Sequence, residues 1–183
     1  MQAVGWVKCV AGRILALAAV IVGVTALGAA TPAEAAIYAI PAPAFVKQCP
    51  CGPGTDVTAT ETRGTIALQN GGPAQFFAAV PFAGSGQVCG FTMIYRDINA
   101  AERLTATLLR KTFTVGGYIY DIPVTMAQAV SANGVTNSVR SVSATTIPSP
   151  AINTTTGFYY VRIDMQNINM DLLGVQIDIR SAC

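Results

Sequence analysis

The residues of this sequence that could carry out chemistry are carboxylates, cysteines and tyrosines, because histidine is absent from its 183 residues. Without an imidazole there is no Ser-His-Asp triad, no Cys-His dyad and no His-ligated zinc. Any reaction would therefore depend on acids or thiolates.

A pair of carboxylates could hydrolyse a glycosidic bond, provided that one of them keeps its proton and acts as the acid. Asp164 and Asp178 alternate with apolar residues near the end of the chain, and a hairpin of the two segments would bring Arg162 close to both. A neighbouring arginine favours the ionised form of a carboxylate, which is the wrong form for a general acid. We therefore predict no catalytic residues, no enzyme activity and no cofactor.

The segment Asn167-Ile168-Asn169-Met170-Asp171 has the alternating oxygen ligands of a calcium loop, at Asn167, Asn169 and Asp171. The pattern is incomplete, because it has one carboxylate, Leu172 in place of the glycine at position six, and no acid at position twelve. We interpret the segment as a polar connection between strands and predict no metal site.

The first 35 residues have the pattern of a cleavable signal peptide. Lys8 and Arg13 precede the uncharged, mostly apolar stretch 14–30, and Ala33-Glu34-Ala35 supplies the small residues that signal peptidase requires. We predict cleavage before Ala36 and export to the periplasm or the extracellular space, with no stable membrane insertion afterwards. The alternative is an uncleaved anchor, for which the apolar stretch is at the lower length limit.

The predicted mature chain is almost neutral, because nine basic and eight acidic residues remain after cleavage. This balance gives no electrostatic reason to expect nucleic acid as a partner. Trp6 is removed with the signal, so the mature chain has no tryptophan, whereas all six tyrosines remain.

Four cysteines remain after cleavage, and an even number in an exported chain predicts disulfide bonds. They are Cys49, Cys51, Cys89 and Cys183. A bond between Cys49 and Cys51 would close a very tight ring around Pro50. We therefore favour the two pairings that join the Cys-Pro-Cys segment to both Cys89 and Cys183.

Eight short segments, separated by glycine, proline and asparagine turns in a chain that is dense in threonine, are typical of strands. They are approximately 64–69, 75–82, 87–96, 103–115, 117–130, 137–147, 157–166 and 173–180. Eight strands in one domain predict an all-β, antiparallel, two-sheet sandwich resembling a jelly roll. The predicted organisation is a signal peptide (1–35), an extended Pro/Cys-rich arm (36–54) and the sandwich (55–183).

The last two segments show the clearest alternation of apolar and polar residues. Tyr159, Val161, Ile163 and Met165 fall on one face of segment 157–166, and segment 173–180 alternates in the same way. The short polar connection between them predicts a hairpin with Arg162 opposite Asp178. A β-sandwich requires strands with one apolar face toward the core and one polar face toward solvent.

Residues 36–48 contain Pro41 and Pro43 and have no periodicity, so we interpret them as a loose linker. The alternative is an added strand, formed by Ile37 to Ile40, on the chain's own sheet or on the edge of a neighbour. In the second case the protein could assemble with itself through residues 36–48.

The second half resembles a class of secreted bacterial β-sandwich domains. The resemblance rests on the order of five pieces, which are Tyr95-Arg96-Asp97, the segment 104–110, the Ser/Thr-rich stretch 138–147, Tyr159-Tyr160-Val161-Arg162-Ile163 and the segment 172–177. It spans about residues 75–180 and implies a jelly-roll-like fold and export. It implies no catalytic residues.

With little available for catalysis, the remaining question is which partner the domain binds. We predict a non-enzymatic structural or interaction module of the cell surface or periplasm, with a protein or a glycan as its partner. The alternative is a carbohydrate-binding module in which Tyr118, Tyr120 and Tyr160 stack on sugar rings, although the missing tryptophan counts against a strong platform.

Overall fold

The computed structural model describes residues 35–48, 57–60, 64–68, 73–112, 122–132 and 136–183, all within the unit Thr31–Cys183. The predicted signal peptide up to Glu34, the Cys49-Pro50-Cys51 segment, Tyr118 and Tyr120 lie outside these residues. The described residues include no helical segment with the length and apolar character of a membrane span.

The described part of the chain is almost entirely strand. It forms β1 (Ala36–Pro41), a 3₁₀ turn (Ala42–Ala44), β2 (Val46–Lys47), β3 (Val57–Thr60), β4 (Thr65–Leu68), β5 (Ala74–Val80), β6 (Ser85–Asp97), β7 (Thr105–Thr112), β8 (Val124–Val130), β9 (Thr136–Ser143), β10 (Ala151–Asn153), β11 (Gly157–Met165) and β12 (Met170–Arg180). Each of the eight predicted strands has a counterpart, β4 to β9, β11 and β12.

The strands form two antiparallel sheets. One has seven strands: five follow the order β10-β6-β12-β4-β3, while β1 also pairs with β12 and β9 also pairs with β6. The other has five, in the order β2-β5-β11-β7-β8. Consecutive predicted strands lie in opposite sheets except for β7 and β8, which are neighbours in one sheet. The resulting arrangement, with β4, β12, β6 and β9 facing β5, β11, β7 and β8, is that of a jelly roll. The predicted all-β sandwich is confirmed.

The interior lies between the inner faces of the two sheets. Its largest completely buried side chains include Phe76, Phe91, Leu108, Ile163 and Ile177, which come from strands of both sheets. Burial of a side chain of this size stabilises the fold by about 1.5–3 kcal/mol. The outer faces are therefore free to carry polar and half-buried residues.

The predicted hairpin between the last two strands is wrong. β11 pairs with β5 and β7, whereas β12 pairs with β6, β4 and β1 in the other sheet. Arg162 is consequently bonded to Asp164 on its own strand (Nε to Oδ2, 2.9 Å), and Asp178 to Arg180 (Oδ2 to Nη2, 2.6 Å). The alternation itself is correct, because both apolar faces are buried, but they meet across the core instead of side by side.

Residues 36–48 are not a loose linker. β1 pairs with β12 from Ala36 opposite Ile179 to Pro41 opposite Gly174, and β2 pairs with β5 in the other sheet. The 3₁₀ turn between them carries the chain from one sheet to the other. This segment therefore adds a strand to the chain's own sheet, and addition to a neighbouring molecule stays a prediction.

Gly174 allows β1 to approach β12 closely, and the variant Gly174→Ala tests this. A Cβ at this position would lie 2.8 Å from the Ile40 carbonyl oxygen, a backbone atom that a side-chain rotation cannot move. We expect the variant to lose about 1–3 kcal/mol of unfolding free energy in a urea titration. Gln176→Ala, an exposed position on the same strand, should change it by less than about 0.5 kcal/mol. Equal stability of the two variants would show that β1 can move away without cost.

The disulfide joins Cys89 to Cys183, with an S–S distance of 2.03 Å and Cα atoms 5.4 Å apart. The pairings that we favoured, each joining the Cys-Pro-Cys segment to these two residues, are therefore wrong. Val88 on β6 lies opposite Ile179 on β12, so Cys89 is close to the end of β12. The residues after β12 bring Cys183 back to Cys89. Cys49 and Cys51 lie outside the described residues.

Candidate functional site

The outer face of the five-stranded sheet combines aromatic and charged side chains in the middle of the sheet. On β11, Tyr159 and every second residue after it are buried, so Phe158, Tyr160, Arg162 and Asp164 are directed outward. β5 alternates in the same way, and its outward residues include Gln75 and Phe77. Neither strand is at the edge of the sheet, so its neighbours hold both in place.

Three of these side chains form a continuous strip of rings, which we call the aromatic strip: Phe77, Tyr160 and Phe158. The ring centres of Tyr160 and Phe158 are 5.9 Å apart and their planes differ by 29°. Phe77 is also 5.9 Å from Tyr160, with planes at 41°. Because Ala79 is the β5 neighbour of Tyr160, no large side chain on that strand covers its ring.

The aromatic strip lines a shallow groove of about 380 Å³, whose other walls are Ala78, Ala79, Lys111 and Tyr159. Phe158 is 40% exposed, which is unusual for a ring of this size on an ordered strand. A second groove shares Ala79, Phe158 and Tyr159 and extends toward Phe82 and Thr154. A long, chain-like ligand could therefore extend beyond the strip at the Phe158 end.

A polar network lies at the Phe77 end of the strip. Arg162 is opposite Phe77 in the pairing of β11 with β5, and Asp164 is opposite Gln75. The Gln75 amide nitrogen donates to Asp164 Oδ1 (2.7 Å), and Arg162 Nε donates to Asp164 Oδ2 (2.9 Å). Asp164 thus orients both neighbours. Among the described residues, the terminal nitrogens of Arg162 and the amide oxygen of Gln75 have no other partner, so they can bind a ligand.

The Tyr160 hydroxyl keeps its proton at neutral pH. Partial burial raises the pKa of the Tyr160 phenol above 10.0, and the positive charge of Arg162 opposes this shift without reversing it. The hydroxyl is therefore available both as a hydrogen-bond donor and as an acceptor. The ring beside it presents an uncharged face, as stacking on an apolar surface requires.

The raised pKa of Tyr160 can be tested by NMR titration of ¹³Cζ-labelled tyrosine from about pH 8 to about pH 12. We expect the Tyr160 midpoint to lie above 10.0, and to rise further in Arg162→Gln, which removes the charge that stabilises the phenolate. Because the pKa of Tyr160 is higher in the folded than in the unfolded chain, the phenol contributes to the free energy of unfolding. This contribution is complete below the unfolded pKa and is lost as the pH rises through the folded pKa. A Tyr160 midpoint at or below 10.0, or no response to Arg162→Gln, would contradict this prediction.

Of the three weak calcium candidates, Asn167, Asn169 and Asp171, the structure places the Asp171 carboxylate and the Asn169 backbone carbonyl in other bonds. The carboxylate of Asp171 is buried and paired with Arg96, whose Nε donates to Asp171 Oδ2 (2.6 Å). The carbonyl oxygen of Asn169 accepts from the amide of Ile98 (2.9 Å). Within the described ranges, no three Cys, Asp or Glu residues are grouped so that they could hold a metal ion.

Of the three predicted sugar-stacking residues, Tyr160 is in the aromatic strip, while Tyr118 and Tyr120 lie outside the described residues. Sequence reasoning missed Phe77 and Phe158. A signal for Phe158 was present, because it is two residues before Tyr160 and so falls on the same face of β11. Phe77 could be found only from the pairing of β5 with β11, which joins distant parts of the chain.

Neither the family models nor the curated proteins give a match to this chain. Among solved structures, a xylan-binding domain of carbohydrate-binding module family 22 is similar, with 16% identity over 79% of this chain and 94% of that one, and a TM-score of 0.42. The module pair CBM22-1–GH10 of the Clostridium thermocellum xylanase Xyn10B, in complex with xylohexaose, shares 13% identity over 77% of this chain (TM-score 0.44). This chain covers only 27% of that chain.

The family 11 carbohydrate-binding module of Clostridium thermocellum, in complex with a β-1,3-1,4-mixed-linked tetrasaccharide, is also similar. The identity is 8% over 81% of this chain and 90% of that one, with a TM-score of 0.39. All three are similarities between backbone folds at low sequence identity. The fold and the outer face together define an antiparallel β-sandwich with an aromatic strip on its five-stranded sheet.

Proposed function

We propose that this protein is an exported, non-enzymatic module that binds a glycan on the outer face of its five-stranded sheet. The observation that supports this proposal best is the aromatic strip beside the Gln75–Asp164–Arg162 network. Apolar area with a few oriented polar groups is typical of small-molecule and sugar sites. The strip supplies the area, and the network supplies partners for hydroxyl groups.

The strip suits a sugar because a pyranose ring is amphipathic. Its axial C–H groups form an apolar face that can lie on an aromatic ring, while its hydroxyls point outward around the rim. The planes of Phe158 and Tyr160 differ by only 29°, so adjacent sugar units could lie on adjacent rings. Arg162 and Gln75, at the end of the strip, could bind the hydroxyls of the unit on Phe77.

The polar network favours a glycan over an apolar protein surface as the ligand. A protein partner that covered the strip with aliphatic side chains would also bury the free N–H groups of Arg162, and burying unpaired polar groups is costly. Hydroxyl groups both donate and accept hydrogen bonds, so they can pair with these groups as the site closes.

The proposal is tested by affinity electrophoresis against a panel of soluble polysaccharides. We expect at least one polysaccharide to retard the mature protein, and we expect Phe158→Ala to lose most of that retardation. The matched control is Val139→Ala, since Val139 is 59% exposed but belongs to the seven-stranded sheet. Absence of retardation throughout a broad panel, or equal retardation of both variants, would overturn the proposal.

Export is part of the same proposal. β1 begins at Ala36, the first residue after the predicted cleavage site, so cleavage there would leave the strand complete. The disulfide fits an oxidising compartment. The intact mass of the secreted protein should correspond to residues 36–183.

A further inference from the structure

The described residues that line the groove along the aromatic strip include one cation, Lys111, and no acid. Lys111 on β7 is directly opposite Phe158 on β11, so both side chains project from the same face of the sheet. It also lines the groove together with Phe158 and Tyr160. A ligand stacked on Phe158 would therefore lie next to the Lys111 ammonium group.

Asp164, the acid that the described strands place on this face of the sheet, is already engaged. Asp164 uses both of its oxygens on Arg162 and Gln75, at the opposite end of the strip from Lys111. The ammonium group of Lys111 makes no ion pair and no hydrogen bond with any described residue. Within the described part of the chain, the positive charge at the Phe158 end of the groove has no acidic partner.

The other described carboxylates cannot supply the missing charge either, because each is engaged elsewhere in the fold. Asp97 accepts from the Ser131 hydroxyl, Glu102 from the Asn99 amide nitrogen, Asp171 from Arg96 and Asp178 from Arg180. Asp171 and Asp178 belong to the seven-stranded sheet, on the far side of the core. A ligand that carries a carboxylate would supply a negative charge beside Lys111, which no described acid does.

We infer that this face selects polysaccharides whose sugar units carry carboxylates, with a uronate group bound by Lys111. This inference rests on the proposed glycan-binding function and specifies the ligand class. A neutral sugar on Phe158 would remove water from the ammonium group and give no charged partner in return. A uronate at the same place provides that partner, and its ring can still stack.

The test compares one backbone in two charge states, polygalacturonate and its fully methyl-esterified form, by isothermal titration calorimetry at low salt. We expect the mature protein to bind polygalacturonate about fivefold more tightly, the upper range for a solvent-exposed ion pair, and to lose this preference as salt is added. Lys111→Met should bind both forms equally. Lys111→Arg should keep the preference, because it keeps the charge.

A matched control is Arg180→Met, which removes one positive charge from the seven-stranded sheet and should leave the preference unchanged. Equal binding of both polymers by the unmodified protein would overturn the inference and leave the proposed function intact. A preference that Lys111→Met retains would also overturn it. Failure to bind these polymers and every other polysaccharide would overturn both proposals together.

Discussion

Tyr160→Ala should weaken polysaccharide binding about thirtyfold. Tyr160 is the central ring of the aromatic strip and contacts both Phe77 and Phe158, so its loss divides the strip into two separate rings. Truncation of a central aromatic anchor typically costs about 2 kcal/mol or more of binding free energy, and each 1.4 kcal/mol is a factor of about ten. Calorimetry with the tightest polysaccharide of the panel measures the change.

Tyr160→Phe separates stacking from hydrogen bonding at the same position. This variant keeps the ring and loses only the hydroxyl, so we expect a decrease of about fivefold, the effect of one ordinary hydrogen bond. If Tyr160→Phe lost as much affinity as Tyr160→Ala, the hydroxyl and not the ring would carry the binding. Affinity unchanged in Tyr160→Ala would exclude the aromatic strip as the site.

Tyr160 is half-buried, so the stability of its alanine variant must be measured as well. Thermal unfolding of Tyr160→Ala shows whether the sheet is intact at the temperature of the binding experiment. Phe158→Ala provides the independent variant, because Phe158 is more exposed and its removal disturbs less packing. Both variants should lose affinity, and Tyr160→Ala should lose more than Phe158→Ala because Tyr160 is the central ring of the strip.

Local signals in the sequence predicted all eight strands of the jelly roll. Short segments of strand-forming residues between glycine and proline turns mark strands, and the alternation of Tyr159, Val161 and Ile163 shows which side is buried. These properties belong to neighbouring residues, so a single sequence contains them. The same alternation correctly predicted that Tyr160 is directed away from the core.

Pairing between distant strands could not be predicted in this way. An apolar face on β11 and another on β12 can be buried side by side or across the core, and alternation does not distinguish the two arrangements. β1 was predicted only as the alternative to a loose linker for a related reason, since its partner, β12, lies at the other end of the chain. The position of Phe77 beside Tyr160 depends on the same long-range pairing, so this one ring of the three could not be predicted from local signals.

The pairing of Cys89 with Cys183 predicts a large loss of stability in the double variant Cys89→Ser/Cys183→Ser. The two cysteines are 94 residues apart in the sequence, so the bond constrains a long loop in the unfolded chain. Cross-linking a loop of about 100 residues is expected to contribute about 4–5 kcal/mol, mainly by lowering the entropy of the unfolded state. Cys89 is half-buried and Cys183 is exposed, so serine adds no fully buried polar group.

Guanidinium titration of the unmodified protein and of the double variant measures this difference, and peptide mapping without reduction should find the peptides of Cys89 and Cys183 linked. Polysaccharide affinity at 25 °C should be unchanged, because the bond connects strands of the seven-stranded sheet and the aromatic strip is on the other sheet. A double variant within about 1 kcal/mol of the unmodified protein would contradict the entropic argument. A mapped bond from Cys183 to Cys49 or Cys51 would instead restore the pairings that join the Cys-Pro-Cys segment to Cys89 and Cys183.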